Sequence, residues 1–310
     1  MEVRTDVAID IKNLSKSYPG RVALNDISFS VKKGSVHGFL GPNGAGKSTT
    51  MKILSGLIRE SSGEFKVNGK IGFLPEHPPL YPNMSVQDYL QFVLAIYSPP
   101  QGNIQSNKEC VRDVMEKTGL SHVTERLIGN LSKGYQQRVG IAQALVHSPE
   151  IIILDEPTVG LDPAAIADIR TLITKLKKDH TILFSTHQLH DVELLCSDIT
   201  LINHGKIVVS GPLETILENL KTRMTIHARV ENFGEAEKKK IMTQFHLESV
   251  DFTPDDKDKA KKNVFVKITA IAPDSLKKEL SHFLADESIG LLEFGEVRLD
   301  LEELFKQMIH

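Results

Sequence analysis

Alternating apolar and polar residues predict two half-buried strands near the N-terminus, at residues 7–11 and 27–31. Three later runs, 71–74, 151–154 and 181–184, are short and almost entirely apolar. Strands of a parallel sheet have this composition because both of their faces are buried. We therefore expect the N-terminal part of the chain to combine a parallel sheet with additional antiparallel strands.

Residues 85–120, between the apolar runs at 71–74 and 151–154, have apolar residues mostly at helical spacing, which predicts helices. A strand at 205–209 and a helix at 213–220 close this part of the chain. The predicted order of strands and helices is typical of an α/β fold. We place this first domain at residues 1–220.

The composition of the chain changes near residue 221, and we predict a second domain at 221–310. Its expected strands lie at 223–230, 247–253, 263–270 and 290–298, and its expected helices lie at 234–245, 274–285 and 299–309. The order β-α-β-β-α-β is that of a small two-layer α+β domain of ferredoxin-like type. A length of 310 residues agrees with two domains.

A glycine-rich segment follows an apolar strand predicted at 36–40. It fits the pattern Gly-x4-Gly-Lys-[Ser/Thr] without a mismatch and consists of Gly41, Pro42, Asn43, Gly44, Ala45, Gly46, Lys47, Ser48 and Thr49. The glycines let the backbone curl, so that successive N–H groups face anionic oxygens. Lys47 is placed to reach the β- and γ-phosphates of a nucleotide, and the Ser48 hydroxyl to bind Mg²⁺.

Two adjacent carboxylates, Asp155 and Glu156, follow the apolar run at 151–154. Open α/β sheets bind their ligands at this carboxyl edge. Buried acids without a positive partner are costly, whereas a bound Mg²⁺ makes the pair favourable. We expect Asp155 to hold Mg²⁺ through water, and Glu156 to orient or deprotonate an attacking water.

Net charge and apolar content indicate whether the chain binds nucleic acid or crosses a membrane. The formal net charge is −3 at pH 7, so electrostatics give no reason to expect a nucleic-acid partner. No uninterrupted apolar run approaches the ~18 residues that a membrane-spanning helix needs. We expect a chain that is soluble by itself and that reaches a membrane only through a separate partner.

The segment 131–138 reads Leu-Ser-Lys-Gly-Tyr-Gln-Gln-Arg and precedes a predicted helix, with Ser132 at the N-cap position. Taken alone, it is better interpreted as a capped helix and nothing more. Together with the two motifs above, it closely resembles the ATP-binding-cassette (ABC) family, whose signature is Leu-Ser-Gly-Gly-Gln. Lys133 replaces the first glycine, as in ABC-2-type exporter subunits similar to those of gliding-motility and drug-export systems. The resemblance implies that Ser132, Lys133 and Gly134 serve the γ-phosphate of ATP held by the other subunit of a dimer.

Other residues acquire roles through the same resemblance. Tyr18 matches the aromatic residue that stacks on adenine, and a structural tyrosine at a strand edge is the alternative interpretation. Asp162 lies in the segment that matches the D-loop, which communicates across the dimer. His187 follows the apolar run at 181–184 and matches the catalytic switch histidine.

One position departs from the family pattern. The family usually has glutamine in the loop after the strand at 71–74, where this chain has Glu76. Both side chains offer an oxygen to Mg²⁺, but glutamate adds a negative charge and loses an NH₂ donor. The resemblance implies that Ser48, Glu76 and Asp155 hold the Mg²⁺ ion.

The loop at 76–84 contains three prolines, which exclude a regular helix or a central strand. It also contains three large apolar residues, Leu80, Tyr81 and Met84. One interpretation is that they fold back into a helical core. The other, which the resemblance implies, is that they line a groove for a short cytosolic helix of a permease.

The resemblance covers residues 1–220 with all motifs in order. It implies a RecA-like P-loop ABC nucleotide-binding domain with an antiparallel β subdomain and a helical subdomain at about 77–148. The implied function is an ATPase subunit that binds ATP and Mg²⁺, closes as a homodimer and powers export through a transmembrane permease. The implied location is cytoplasmic, peripheral at the inner face of the plasma membrane.

A soluble ABC ATPase with a regulatory or ribosome-associated role is the alternative. Family members that act on ribosomes typically carry two cassettes, whereas this sequence has one phosphate-loop motif and one signature. The single set of motifs therefore favours the transporter subunit.

Overall fold

The computed structural model describes residues 6–97, 104–221, 223–245, 247, 249–254, 263–271, 275–286 and 289–298. The chain divides into two compact units, Met1–Leu213 and Glu214–His310. The division lies at the start of a helix at Leu213–Lys221, whereas the sequence places the boundary after that helix. The terminal helix predicted at 299–309 lies outside the described residues.

The first unit contains the motifs found in the sequence. Its strands are β1 (Val7–Tyr18), β2 (Arg21–Lys32), β3 (Val36–Leu40), β4 (Ser62–Val67), β5 (Ile71–Leu74), β6 (Ile151–Asp155), β7 (Thr181–Thr186), β8 (Asp198–Asn203) and β9 (Lys206–Pro212). Its helices are α1 (Lys47–Leu54), α2 (Val86–Tyr97), α3 (Ile104–Lys117), α4 (Lys133–Leu145), α5 (Pro163–Leu176) and α6 (Leu189–Leu195). Two short 3-10 turns precede α4.

A six-stranded sheet with the order β5-β6-β7-β3-β8-β9 forms the centre of this unit. The strands from β5 to β8 are parallel, and β9 is antiparallel to β8. Every residue of β3, β6 and β7 is buried, which confirms the prediction from their apolar runs. Because these three strands run in one direction, the loops that follow them meet at the same edge of the sheet.

A three-stranded antiparallel sheet with the order β2-β1-β4 packs its apolar side chains with α1 and the central sheet. β1 and β2 are longer than the predicted strands, because the hairpin continues to a tight turn at Pro19–Gly20. Two strands, β4 and β8, were not predicted from the sequence. β4 alternates over only its last four residues, where Phe65 and Val67 are partly buried, and this run is too short to identify a strand.

The helical segment lies between β5 and β6, as predicted for residues 77–148. α2, α3 and α4 bury their apolar sides in one cluster. Leu80 and Met84 are partly buried and pack against this cluster, whereas Tyr81 is 50% exposed. The structure therefore places two of the three apolar loop residues against the helical core.

The second unit has the predicted element order. It contains α7 (Leu213–Lys221), β10 (Arg223–Glu231), α8 (Glu235–Gln244), β11 (Ser249–Pro254), β12 (Asn263–Ile271), α9 (Ser275–Asp286) and β13 (Leu291–Arg298). The strands form an antiparallel sheet with the order β11-β12-β10-β13. Alternate residues of β10, such as Ile226 and Val230, share a core with Ile241 of α8 and Leu280 of α9. This is the two-layer ferredoxin-like arrangement.

A buried histidine lies in the middle of the central sheet. His37 of β3 is 1% exposed, and its Nε2 lies 2.8 Å from Thr200 Oγ1 on β8. Burial lowers the pKa of His37 from 6.5 to about 4; Asp198 opposes this change and Lys32 adds to it. The folded protein therefore holds the ring neutral at pH values where an unfolded chain protonates it.

This difference predicts an acid-sensitive fold. Above pH 6.5 the ring is neutral in both states; as the pH falls from 6.5 towards 4, only the unfolded chain gains the proton, so stability falls. At pH 5 the loss is about 2 kcal/mol, at about 1.36 kcal/mol per pKa unit. Urea unfolding at pH 7.5 and 5.0 measures it, with His37→Gln as the control that removes this titration. Equal pH dependence in the two proteins would contradict the prediction.

Candidate active site

A cleft of about 370 Å³ opens at the edge of the sheet where the loops after β3, β6 and β7 meet. It is lined by Tyr18, Arg21, Ala23, Asn43, Gly44, Gly46, Lys47, Ser48, Thr49, Glu76, Glu156, Val159 and His187. The fold therefore brings together residues from motifs that are up to about 170 positions apart in the sequence. Most of the residues predicted to bind nucleotide or metal line this one cleft.

The loop between β3 and α1 is closely packed against the rest of the unit. Gly46 has a φ of 115°, and a Cβ atom there would lie 2.6 Å from Leu24 Cδ2. A Cβ atom at Gly41 would lie 2.3 Å from the carbonyl oxygen of Ile202. Both positions require glycine, because any side chain would displace the loop. The tight curl leaves the concave side of the loop open to the cleft.

Three charged or titratable side chains meet at the centre of the cleft. Lys47 Nζ donates a hydrogen bond to the Gly41 carbonyl oxygen at 2.7 Å and lies 3.0 Å from Glu156 Oε1. His187 Nδ1 lies 2.9 Å from Glu156 Oε2. Since a carboxylate only accepts, we assign the proton of this contact to Nδ1. Glu156 is thus shared between a cation and an imidazole.

The position of Glu156 is set by its backbone as well as by its partners. Its φ is 50°, a left-handed conformation that is uncommon for residues other than glycine. The side chain is buried, and Oε1 has no hydrogen-bond partner among the described residues, although Lys47 Nζ is close to it. A carboxylate oxygen has two lone pairs, so beside its ion pair with Lys47 this buried Oε1 still has room to accept a water or a metal ion.

Asp155 is buried at the end of β6 and is not among the residues that line the cleft. Ser185 of β7 donates a hydrogen bond to Asp155 Oδ1 at 2.6 Å and accepts one from the Glu156 backbone N–H at 2.9 Å. Ser185 therefore holds both residues of the acidic pair in place. Ser185 was not predicted from the sequence to have this role, because its two partners are about 30 positions away.

Ser48, in the first turn of α1, and Glu76, in the loop after β5, line the same cleft. In the described part of the chain, no three His, Cys, Asp or Glu residues form a ready metal site. This agrees with the chemistry of Mg²⁺, which is usually held by one or two protein oxygens together with substrate phosphates and water. The oxygen donors of the cleft therefore fit Mg²⁺ that arrives with a nucleotide.

The signature residues lie elsewhere on the unit. Ser132, Lys133 and Gly134 begin α4 and do not line the cleft. Ser132 is at the N-cap position with an extended backbone, but its side chain makes no capping hydrogen bond. Asp162 is also outside the cleft, and its Oδ1 accepts a hydrogen bond from Ala165 N at the start of α5. Within one copy of the chain, the signature residues therefore do not line the cleft that contains the phosphate loop.

Arg21, Ala23 and Val159 line the cleft but were not predicted. The signal for Arg21 was present in the sequence, since it follows Tyr18 across a Pro-Gly turn. Turn residues of this kind place the two flanking side chains close together. Ala23 and Val159 are small apolar residues without a distinguishing pattern, and only the tertiary structure identifies them.

The phosphate loop follows β3, the acidic pair lies at the end of β6, and β7 lies between these two strands in the sheet. This arrangement defines the class of P-loop nucleotide hydrolases. The ABC transporter family profile matches residues 24–159 of this chain. The lantibiotic transport ATP-binding protein SrtF of Streptococcus pyogenes is 40% identical over 65% of this chain and 89% of that protein. The bacitracin transport ATP-binding protein BcrA of Bacillus licheniformis is 37% identical over 66% of this chain and 70% of that protein.

Solved structures give the same result. A dimeric bacterial ABC transporter cassette aligns with a TM-score of 0.61 and 25% identity, over 66% of this chain and 98% of that chain. An ABC transporter cassette in its ADP conformation aligns with a TM-score of 0.61 and 27% identity, over 70% and 95%. The chain belongs to the family of ABC transporter ATP-binding proteins, and it is an ATPase subunit of such a transporter. The family resemblance of the sequence is confirmed.

Proposed function

We propose that this chain hydrolyses ATP in the cleft as one half of a homodimer and thereby powers export through a separate transmembrane permease. The observation that carries the proposal is the contact of Glu156 with both Lys47 and His187. The relatives named for lantibiotic and bacitracin transport support transport over a regulatory or ribosome-associated role. A linearmycin resistance ATP-binding protein of Bacillus subtilis, 33% identical over 78% of this chain, supports export.

The charges of the cleft suggest an order of events. Lys47 and Glu156 neutralise each other, and both side chains are at least nine-tenths buried. When ATP enters, its phosphates compete for Lys47, because the lysine and the loop N–H groups are suited to bind them. Glu156 then gives up its cation and becomes free to accept a proton from water. Binding of ATP therefore activates the base that is needed to hydrolyse it.

His187 and the metal complete this chemistry. The contact of His187 Nδ1 with Glu156 holds the imidazole ring in place. The other ring nitrogen, Nε2, is then free to interact with the γ-phosphate as it leaves. Ser48 and Glu76 would hold Mg²⁺, with Asp155 acting through water, and the ion would neutralise phosphate charge. Tyr18, 43% exposed at the rim of the cleft, would stack on the base.

The start of α4 supports a site shared between two copies. Its first turn contains no acidic residue, and the Ser132 hydroxyl does not cap it. The free N–H groups at a helix start attract anions. Because this turn is absent from the lining of its own cleft, we assign it to the γ-phosphate held by the partner copy. Asp162, at the start of α5, would contact the same interface.

No helix in the described ranges is long and apolar enough to cross a membrane. We therefore propose that the chain reaches the cytoplasmic face of the membrane through its permease. Affinity purification of the tagged chain from membranes of its host tests this proposal. We expect recovery of a multi-span membrane protein together with Mg²⁺-dependent ATPase activity. Recovery of ribosomal proteins instead would favour the alternative.

The surface for this partner is expected to include Tyr81 and Phe92. Their rings lie 5.7 Å apart, and the side chains are 50% and 42% exposed. Leu80 is less suitable for a test, because it packs against the helical core. Tyr81→Ser combined with Phe92→Ser should lower co-sedimentation with permease-containing membranes at least about tenfold, as loss of aromatic anchors does. ATPase activity of the isolated chain should not change.

Leu194→Ser is the matched control, since Leu194 is an exposed apolar residue of α6, 58% exposed. It should co-sediment like the unmodified chain. Undiminished membrane association of the well-folded double variant would exclude this surface as the docking site.

A further inference from the structure

The hairpin that carries Tyr18 also carries an arginine to the cleft. β1 ends at Tyr18 and β2 begins at Arg21, and the two residues are direct cross-strand partners. Pro19 and Gly20 form the turn between them, and Gly20 has a φ of 77°. Proline followed by glycine with this φ is the sequence of a type II turn. The side chains of cross-strand partners lie on the same face of a sheet. Tyr18 and Arg21 therefore line the cleft from the same face of the hairpin.

Arg21 reaches from this hairpin to the phosphate loop. One of its terminal nitrogens donates a hydrogen bond to the Gly44 carbonyl oxygen at 2.9 Å. This contact fixes the guanidinium at the wall of the cleft, which Arg21 lines together with Tyr18 and Gly44. Within the described residues, no carboxylate forms an ion pair with Arg21. A guanidinium has five N–H donors, so most of them remain available beside the loop.

We propose that Arg21 is a nucleotide-binding residue that contacts the ribose and α-phosphate, between the base and the terminal phosphates. This inference rests on the proposed binding of ATP in the cleft. Tyr18 marks the base end, and Lys47 marks the end for the β- and γ-phosphates. Arg21 lies between them, because it adjoins Tyr18 in the hairpin and holds Gly44 of the loop. A planar guanidinium is well suited to bind a phosphate oxygen.

The position of Arg21 predicts that it affects the binding of ATP and ADP equally. ATP and ADP share the ribose and the α-phosphate, so Arg21 should strengthen the binding of both by the same factor. Arg21→Met, which keeps most of the side-chain length without the charge, should weaken both about tenfold, a typical loss for one charge-assisted contact. The ratio of the two dissociation constants should not change. Titration calorimetry with ATP and with ADP, in EDTA to prevent hydrolysis, measures all four values.

Two readouts separate direct contact from support of the loop. The salt dependence of the ADP dissociation constant should become shallower in Arg21→Met, because one cation–phosphate interaction is lost. Arg21→Lys should recover the salt dependence and part of the affinity. If Arg21 only supports Gly44, the loss of affinity should leave the salt dependence unchanged, and this result would overturn the proposal. A loss restricted to ATP would overturn it as well.

Two control variants distinguish a failure of the Arg21 proposal from a failure of the proposed ATP-binding function of the cleft. Arg59→Met removes another exposed arginine of the same unit and should leave both dissociation constants unchanged. Lys47→Ala should weaken nucleotide binding strongly. If Lys47→Ala weakens binding but Arg21→Met changes neither constant by more than about twofold, the Arg21 proposal is wrong and the cleft assignment stands. If neither variant affects binding, the cleft itself is wrongly assigned.

Discussion

Glu156→Gln is expected to lower ATP turnover by about 10²–10⁴-fold, which is the usual contribution of a positioned base. The amide keeps the shape of the side chain but cannot take a proton from water. ATP binding should survive and become tighter, because the nucleotide no longer has to displace Glu156 from Lys47, 3.0 Å away. With hydrolysis blocked, ATP-bound dimers should accumulate.

Single-turnover hydrolysis, equilibrium binding of ATP and size-exclusion chromatography measure these three effects. Glu193→Gln is the matched control, since Glu193 is an exposed glutamate of α6 on the same unit. It should retain the turnover of the unmodified chain. Near-normal turnover in Glu156→Gln would show that another group acts as the base.

Ser132→Asp is expected to abolish ATPase activity while leaving the ATP affinity of the separate chains unchanged. The new carboxylate would face the γ-phosphate of the partner copy, and repulsion would prevent closure. Asp is as good an N-cap residue as Ser, so the fold should tolerate it. Gly134 is a poorer position for this charge, because a Cβ atom there would lie 2.9 Å from Ala165 Cβ.

Mixing Ser132→Asp with Lys47→Ala tests whether the site is shared. Lys47→Ala weakens nucleotide binding in its own cleft but keeps an intact signature. A mixed dimer therefore contains one site in which an intact loop meets an intact signature, and ATPase activity should return. Ser132→Ala separates repulsion from loss of the hydroxyl and should have a smaller effect. If tagged mixed dimers form without activity, the shared-site proposal is wrong.

Much of the central sheet could be predicted from the sequence, because strands that are buried on both faces consist mainly of apolar residues. The runs at 151–154 and 181–184 are apolar throughout, and the structure places both strands inside the sheet. The second unit was also predictable in outline, since its half-buried strands alternate. β4 was missed because its alternating part, residues 64–67, is only four residues long and the rest of the strand is exposed. Exposed strands are formed by pairing with a neighbour, and a local pattern does not reveal that neighbour.

The sequence alone determined the phosphate loop, the acidic pair and the order of the family motifs, because glycine conformation and residue spacing are local properties. Only the tertiary structure decided which of these residues meet. It joined Glu156 to Lys47 and His187, connected Ser185 by hydrogen bonds to both residues of the acidic pair, and brought Arg21 to Gly44. It also separated the signature from the cleft of the same chain. Such contacts join distant segments, and their geometry depends on strand order and packing rather than on neighbouring residues.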